Sequence, residues 1–253
     1  GPSLAECKRC NVMIAVLGAL QAEMYACRCR LEQVEQDEWA GREIARGVLG
    51  TQPVVCTWTG AGIAQSALTA QYVCSTYRPK MILFGGIGAA LDPLYQMGDL
   101  VVAEDVIQWD LDTTEVGGGV GVFPERRKNG EWERELSTHP TLRKRLEAHC
   151  KAQSKKVYTG RFLSGDRIIP IKDGREERDM LRRGLNGDVA DMESSSIVLT
   201  GKFNGIPVVL LRIISDTVRG ERPVNIRSFL DGASNTIAAV FESFLESLEG
   251  TLS

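Results

Sequence analysis

The sequence predicts an α/β fold organised around a central parallel or mixed sheet. Four apolar runs without polar alternation favour strands that are covered on both faces; they lie at residues 11–17, 54–58, 81–84 and 207–216. Stretches with helical spacing follow or separate these runs. One follows Met24 and extends to about Glu35, and the others lie at residues 64–76, 140–153, 194–203 and 226–249. The composition of residues 39–49 suggests a short strand or turn. A chain of 253 residues can bury one large core, so we expect a single domain over residues 11–250. Residues 1–10 are interpreted as an N-terminal tail or cloning remnant.

Composition narrows the range of partners and locations. The net charge is −3 and the pI is near 5.6, so no basic field is expected to hold nucleic acid. No apolar run approaches the ~20 residues that a membrane-spanning helix needs. No signal peptide is visible, which favours a cytoplasmic protein, although the start at Gly1-Pro2-Ser3 leaves a removed export leader open.

The cysteine and glycine patterns argue against a metal or a dinucleotide cofactor. Seven cysteines form an odd set without a disulfide framework, as expected of thiols in a reducing compartment. Cys7-x-x-Cys10 has no second pair to complete a zinc site. Gly60-x-Gly62 is followed by Gln65, where a dinucleotide fingerprint needs a third glycine. We therefore expect no cofactor and no metal.

Polar groups stand where several predicted strands end. Ser215 and Asp216 end the longest apolar run, Glu23 lies in the turn and helix after the first run, and Glu193 precedes a predicted helix. Ligands of open α/β sheets gather at the carboxyl ends of the strands. Asp216 is therefore a candidate catalytic acid, although a carboxylate in these places can also serve as a helix cap or complement the helix dipole.

At this point the sequence resembles the 5'-methylthioadenosine/S-adenosylhomocysteine nucleosidases of the nucleoside phosphorylase superfamily, from about residue 12 to residue 248. The resemblance implies a three-layer α/β/α sandwich with a mixed, twisted and partly barrel-like sheet, a small purine nucleoside as substrate and a homodimer. Seven segments carry it in family order: Gly18-Ala-Leu-Gln-Ala-Glu23, Thr59-Gly-Ala-Gly-Ile63, Gly85-Gly-Ile-Gly-Ala-Ala-Leu91, Met97-Gly-Asp99, Leu163-Ser-Gly-Asp166, Asp191-Met-Glu193 and Ile214-Ser-Asp216.

The resemblance assigns roles to five residues. Asp216, oriented by Ser215, would protonate N7 of the leaving purine, and Glu23 would activate the attacking water. Glu193 would accept hydrogen bonds from the ribose hydroxyls, and Arg212 would support the network of water and carboxylates. An acid and a base on opposite faces of a sugar are what direct attack by water requires.

The resemblance also implies the residues that contact the substrate. Met192 would pack on the sugar, and the backbone of Ile169 would read the adenine edge. The remaining predicted contacts are Gly88, Ala89, Ile168, Ala190 and Ile226. Compared with that family, Ile87 replaces a serine, Ile168 and Ile226 replace frequent phenylalanines, and Asp191 replaces a common glutamate. The resemblance therefore predicts cleavage of an N-glycosidic bond more firmly than it predicts which base and which 5' substituent the substrate carries.

Hydrolysis is favoured over phosphorolysis. Glu23 stands where similar phosphorylases carry an arginine, and a carboxylate there would repel phosphate. The Gly-Asp-Pro-x-Arg type of turn is also missing from the sequence. The sequence therefore predicts release of adenine from 5'-methylthioadenosine, S-adenosylhomocysteine or a related nucleoside. Two alternatives stay open: a purine nucleoside phosphorylase and a catalytically weak nucleoside-binding protein of the same fold.

Overall fold

A computed structural model describes residues 13–123, 127–128, 131–154 and 156–250. The strands within these ranges are β1 (Ile14–Gly18), β2 (Glu32–Trp39), β3 (Arg42–Leu49), β4 (Gln52–Trp58), β5 (Met81–Ala90), β6 (Leu100–Gln108), β7 (Arg127–Lys128), β8 (Glu131–Trp132), β9 (Leu136–Ser137), β10 (Val157–Ser164), β11 (Val189–Asp191) and β12 (Val208–Asp216). The helices are α1 (Gln21–Cys29), α2 (Ile63–Tyr77), α3 (Pro140–Gln153), α4 (Arg175–Leu185), α5 (Ser194–Asn204) and α6 (Ile226–Glu246).

The main sheet is mixed and partly closed. Its strand order is β11-β10-β6-β12-β5-β1-β4-β3-β2, with β9 paired to β6. β12 lies parallel to β5 and antiparallel to β6. β11 lies parallel to β10 and antiparallel to β5. The second pairing links the two ends of the series β11-β10-β6-β12-β5 and closes this half of the sheet. The closure confirms the expected mixed, partly barrel-like sheet.

Helices cover both faces of the sheet. α1 and α3 pack against α6 on one face, and α2 packs against α5 on the other. The apolar stripe of α6 is buried as its spacing predicted, with Ile237, Phe241 and Phe244 fully enclosed in the core. A second core lies on the opposite face around Phe84 and Phe162. The three-layer arrangement expected from the sequence is therefore confirmed.

The first helix is shorter than the sequence suggested. We expected a helical stretch to about Glu35, but α1 ends at Cys29 and an edge hairpin of β2 and β3 begins at Glu32. The residues of β2 are mostly polar and exposed, so they carry no apolar alternation that would indicate a strand. The turn between these strands uses positive φ values at Ala40 and Gly41.

The strand ends converge at one edge of the sheet. Asp216 of β12 is in register with Ala89 of β5, and Ser164 of β10 is in register with Asp191 of β11. The pairing of β11 with β5 brings Ala190 next to Ala89. Residues separated by up to 127 positions are thereby brought together, in the place where α/β proteins usually bind ligands.

Three further observations concern the described part of the chain. None of its helices is long and apolar enough to cross a membrane. It contains no group of three or more His, Cys, Asp or Glu side chains arranged to hold a metal ion. Its cysteines (Cys27, Cys29, Cys56, Cys74 and Cys150) are free thiols. Cys7 and Cys10 lie outside the described residues.

Candidate active site

A cavity of about 280 Å³ lies at the converging strand ends. This volume is near the lower end of the range for small-ligand sites, about 300 to 1,000 Å³. Most of the lining is apolar, with charged groups at a few positions. The lining residues are Ala19, Leu20, Glu23, Ala61, Ile87, Gly88, Ala89, Trp109, Arg167, Ile168, Ile169, Ile171, Ala190, Asp191, Met192, Glu193, Arg212, Ser215 and Asp216.

Glu23 reaches the cavity from the first turn of α1. Its side chain is buried, and each oxygen accepts one backbone hydrogen bond: Oε1 from Leu20 N at 2.8 Å and Oε2 from Ile87 N at 2.7 Å. Burial raises the pKa of Glu23 from 4.5 to about 7, although Arg212 and the two amides lower it. A carboxylate with this pKa exchanges a proton near neutral pH, as a general base must.

The backbone beside Glu23 leaves no room for a side chain. A Cβ atom on Gly86 would lie 2.4 Å from Glu23 Oε2 and 2.7 Å from Arg212 Nη1. The glycine-rich end of β5 therefore allows the Glu23 carboxylate and the Arg212 guanidinium to approach the strand directly.

Arg212 connects the acidic groups on the other side of the cavity. It projects from β12, and its three nitrogens donate to Asp191 Oδ2 at 3.1 Å, Ile87 O at 3.0 Å and Glu193 Oε1 at 3.0 Å. The guanidinium also lies over the ring of Phe84, 5.0 Å from its centroid. A buried arginine without such partners would be costly, so this network fixes both carboxylates.

Glu193 lies at the start of α5, directly after β11. Its second oxygen, Oε2, accepts a hydrogen bond from Gly62 N at 3.0 Å. Burial raises the pKa of Glu193 above its ordinary value, although Arg212 lowers it. The glycine-rich segment after β4 thus fixes Glu193 through Gly62 and also lines the cavity through Ala61.

Asp216 ends β12 and is held on both oxygens. Oδ2 accepts a hydrogen bond from Ser215 Oγ at 2.9 Å, and Oδ1 accepts a close one from Arg178 Nη2. The contact with Ser215 agrees with the orienting role predicted for it. Arg178 was not among the residues that the sequence singled out.

The predicted substrate contacts fall into two groups. Gly88, Ala89, Ile169, Ala190 and Met192 line the cavity, as does Ile168, which is 77% exposed at its edge. Ile226, at the start of α6, is 51% exposed and is not among the described lining residues. Contact between substrate and any of these residues stays a prediction.

Sequence reasoning missed several site residues. Trp109, Arg167 and Ile171 line the cavity, with the Arg167 guanidinium 5.6 Å from the Trp109 ring centroid. Arg178 was hidden in a helix with many charges, but its spacing of three and seven residues from Leu181 and Leu185 places it on the apolar face. That spacing was the available signal.

The charges that line the cavity are mainly negative. Among the described lining residues, Glu23, Asp191, Glu193 and Asp216 are acidic, and the arginines are Arg167 and Arg212. Arg212 is engaged with Asp191 and Glu193, and Arg167 is paired with Glu177. The arrangement is suited to a cationic or electron-poor sugar carbon and unsuited to a phosphate dianion.

The mixed, partly closed sheet with helices on both faces has the fold of nucleoside phosphorylase structures. The chain belongs to the Phosphorylase superfamily, whose family model matches residues 13–246. Members of this superfamily bind nucleosides.

Named relatives and solved structures match more than nine tenths of the chain. The 5'-methylthioadenosine/S-adenosylhomocysteine nucleosidase of Staphylococcus haemolyticus is 25% identical over 93% of this chain and all of its own length. The Campylobacter jejuni enzyme of the same name has a TM-score of 0.86 at 24% identity, covering 94% of this chain and all of that one. Futalosine hydrolase of Helicobacter pylori has a TM-score of 0.82 at 22% identity, covering 94% and 98%.

Proposed function

We propose that this protein hydrolyses the N-glycosidic bond of a purine nucleoside, with water as the nucleophile. The observation that carries the proposal is the convergence of Glu23, Glu193 and Asp216 on one cavity whose charged lining residues are mainly acidic. Cleavage makes the sugar resemble an oxocarbenium ion and leaves electrons on the base. Carboxylates near the sugar and a proton donor at the base meet both demands.

The predicted roles agree with the environment of each group. Glu23, with a pKa of about 7, takes a proton from the attacking water. Glu193, fixed by Arg212 and Gly62, accepts hydrogen bonds from the ribose hydroxyls. Asp216, fixed by Ser215, gives a proton to N7 of the base. Met192 lines the same cavity and packs on the sugar.

We further propose 5'-methylthioadenosine, S-adenosylhomocysteine or a related 5'-modified adenine nucleoside as the substrate. The full-length similarity to nucleosidases with those names supports this choice. The structural similarity to a futalosine hydrolase makes futalosine the comparison substrate.

The test is a nucleoside panel incubated with and without phosphate. We expect free base and reducing sugar to appear in phosphate-free buffer at a rate that added phosphate does not raise. Products should be separated by chromatography, with free sugar distinguished from sugar phosphate. A strict requirement for phosphate would move the protein to the phosphorylase branch. Tight binding without product would favour a nucleoside-binding protein.

A further inference from the structure

Arg178 of α4 is a buried arginine next to the proposed acid. Its side chain is 1% exposed, Nη2 donates to Asp216 Oδ1, and Nη1 donates to Ala90 O at 3.0 Å. Burial of a guanidinium costs several kcal/mol unless a carboxylate and further acceptors compensate it. Asp216 is its partner in the ion pair. The guanidinium therefore bonds to groups beside the cavity and does not face solvent.

Two buried arginines pair with three of the four acidic groups that line the cavity. Arg212 pairs with Asp191 and with Glu193, which is proposed to bind the ribose hydroxyls. Arg178 pairs with Asp216, which lies where the base is proposed to bind. Because Ser215 holds the other oxygen of Asp216, the carboxyl group has a fixed orientation and an adjacent positive charge.

We propose that Arg178 is a positioning residue that acts on the leaving base through Asp216, an inference that rests on the proposed hydrolysis. When the bond between the sugar and the base breaks, its electron pair goes to the base. The proton of the Asp216 carboxyl group moves to the base nitrogen, and Arg178 stabilises the carboxylate that remains. The water oxygen bonds to the anomeric carbon and gives a proton to Glu23.

The contacts of Arg178 give it two effects on the reaction. Its hydrogen bond holds Oδ1 of Asp216 in place, and its bond to Ala90 O anchors the guanidinium to the end of β5. Its positive charge lies next to the oxygens on which negative charge develops as the proton leaves, and a preorganised charge of this kind lowers the barrier. A residue that only attaches α4 to the sheet would have neither effect.

The split between turnover and binding separates these effects from a loss of structure. Both effects belong to the step in which the base leaves, so loss of Arg178 should lower kcat and leave KM almost unchanged. A general disturbance of the cavity would also weaken substrate binding.

The experiment compares Arg178→Met and Arg178→Lys with the unaltered protein across pH, using the best substrate of the nucleoside panel. For Arg178→Met we expect kcat at its maximum to fall about 10-fold to 100-fold, part of the ~10²–10⁴ of a general acid. KM should change by less than a few-fold. Arg178→Lys should restore most of the lost kcat.

Arg182→Met is the matched control. Arg182 lies one turn further along α4 and pairs with Asp92 and Asp188, so its loss weakens the attachment of the helix without touching Asp216. We expect kcat of this variant to stay near that of the unaltered protein. A loss of kcat as large as that of Arg178→Met would attribute the effect to helix attachment and overturn the proposal, as would an unchanged kcat in Arg178→Met.

A second measurement needs no turnover. In a crystal structure of Arg178→Met, the Asp216 carboxyl group should lose its fixed orientation while Ser215 and the backbone of β12 keep their positions. If no nucleoside is cleaved, the proposed function fails while this measurement still tests the pair. An Asp216 side chain that stays in place overturns the positioning role of Arg178. Should Arg178→Met not fold, Arg178→Gln removes the charge and keeps a hydrogen-bond donor.

Discussion

The three central acids differ in what each carboxylate faces. Glu23 is held by two backbone amides and is almost completely enclosed, whereas Glu193 is bonded to Arg212 and an amide. Asp216 faces Arg178 and Ser215. Groups with different surroundings can hold protons at different pH values, which allows one cavity to contain both an acid and a base.

Replacing Asp216 with asparagine should mainly lower turnover. Leaving-group protonation matters in the transition state, so we expect kcat to fall about 10²–10⁴-fold with KM changed by less than a few-fold. Steady-state kinetics on the cleaved nucleoside and a circular dichroism spectrum would check activity and folding together. Asp173→Asn, at an exposed position before α4, is the control and should keep full activity. Full activity in Asp216→Asn would remove it from the acid's role.

Glu23 should make the folded protein less stable as pH rises towards neutrality. Its folded pKa of about 7 exceeds the ordinary 4.5, so between these values the folded state keeps a proton that the unfolded chain releases. The free energy of unfolding therefore falls from about pH 4.5 to about pH 7, by roughly 3 kcal/mol from this group alone. Glu23→Gln should flatten that dependence.

Urea unfolding at a series of pH values would measure this slope. Glu38→Gln, on the exposed strand β2, is a suitable control because that carboxylate lies in solvent. We expect the control to follow the unaltered protein. An identical slope in Glu23→Gln would show that Glu23 does not keep the extra proton.

At the level of single elements, the end of β5 is the most constrained segment of the site. A methyl group on Gly86 would meet the carboxylate of Glu23 and the guanidinium of Arg212. We expect Gly86→Ala to lower kcat at least tenfold and to reduce the free energy of unfolding by about 1–3 kcal/mol, since overpacking shifts its neighbours. Activity assays and urea unfolding would measure the two effects.

Gly184→Ala is the matched control for this element. A Cβ there would meet no heavy atom within 4 Å, and the residue lies inside α4. Alanine is a better helix former than glycine, so we expect a gain of about 0.5–1 kcal/mol. Equal losses in both variants would mean that Gly86 is not specially constrained.

The elements that the sequence predicted well are those with a dense apolar pattern. The runs that became β1, β4, β5 and β12 were recognisable because both faces of these strands are buried. β2 was missed because a polar, exposed strand lacks this signal. Local pattern is therefore a guide to burial more than to secondary structure.

The site was predicted in part for a related reason. Strand-end carboxylates such as Asp216 are visible in sequence because the apolar run stops there. The pairing of Asp216 with Arg178 depends on how α4 packs on the sheet, and Arg178 precedes it by 38 positions. The position of Ile226 depends likewise on tertiary packing, so its role could be inferred only from resemblance.

At the scale of the whole molecule, we expect the homodimer that the family resemblance implies. Leu20, Tyr25 and Leu68 are exposed apolar side chains that could contribute to an interface. Light scattering after size exclusion should give about 55 kDa, twice the chain mass of 27.7 kDa. Tyr25→Glu should shift that mass towards the monomer if α1 forms part of the interface, whereas Met180→Glu, at an exposed position on α4, should not. A fully active monomer would contradict the expectation.

The position of β12 in the sheet also constrains how the protein is made. This strand lies between β5 and β6, yet more than 90 residues of chain separate it from β6. While the ribosome is still producing the nascent chain, β5 and β6 each lack their neighbour and expose open hydrogen-bonding edges that invite aggregation. We expect truncated products that end before residue 208 to depend on chaperones and to lack any partial activity, because Arg212 and Asp216 arrive together with the strand that completes the sheet.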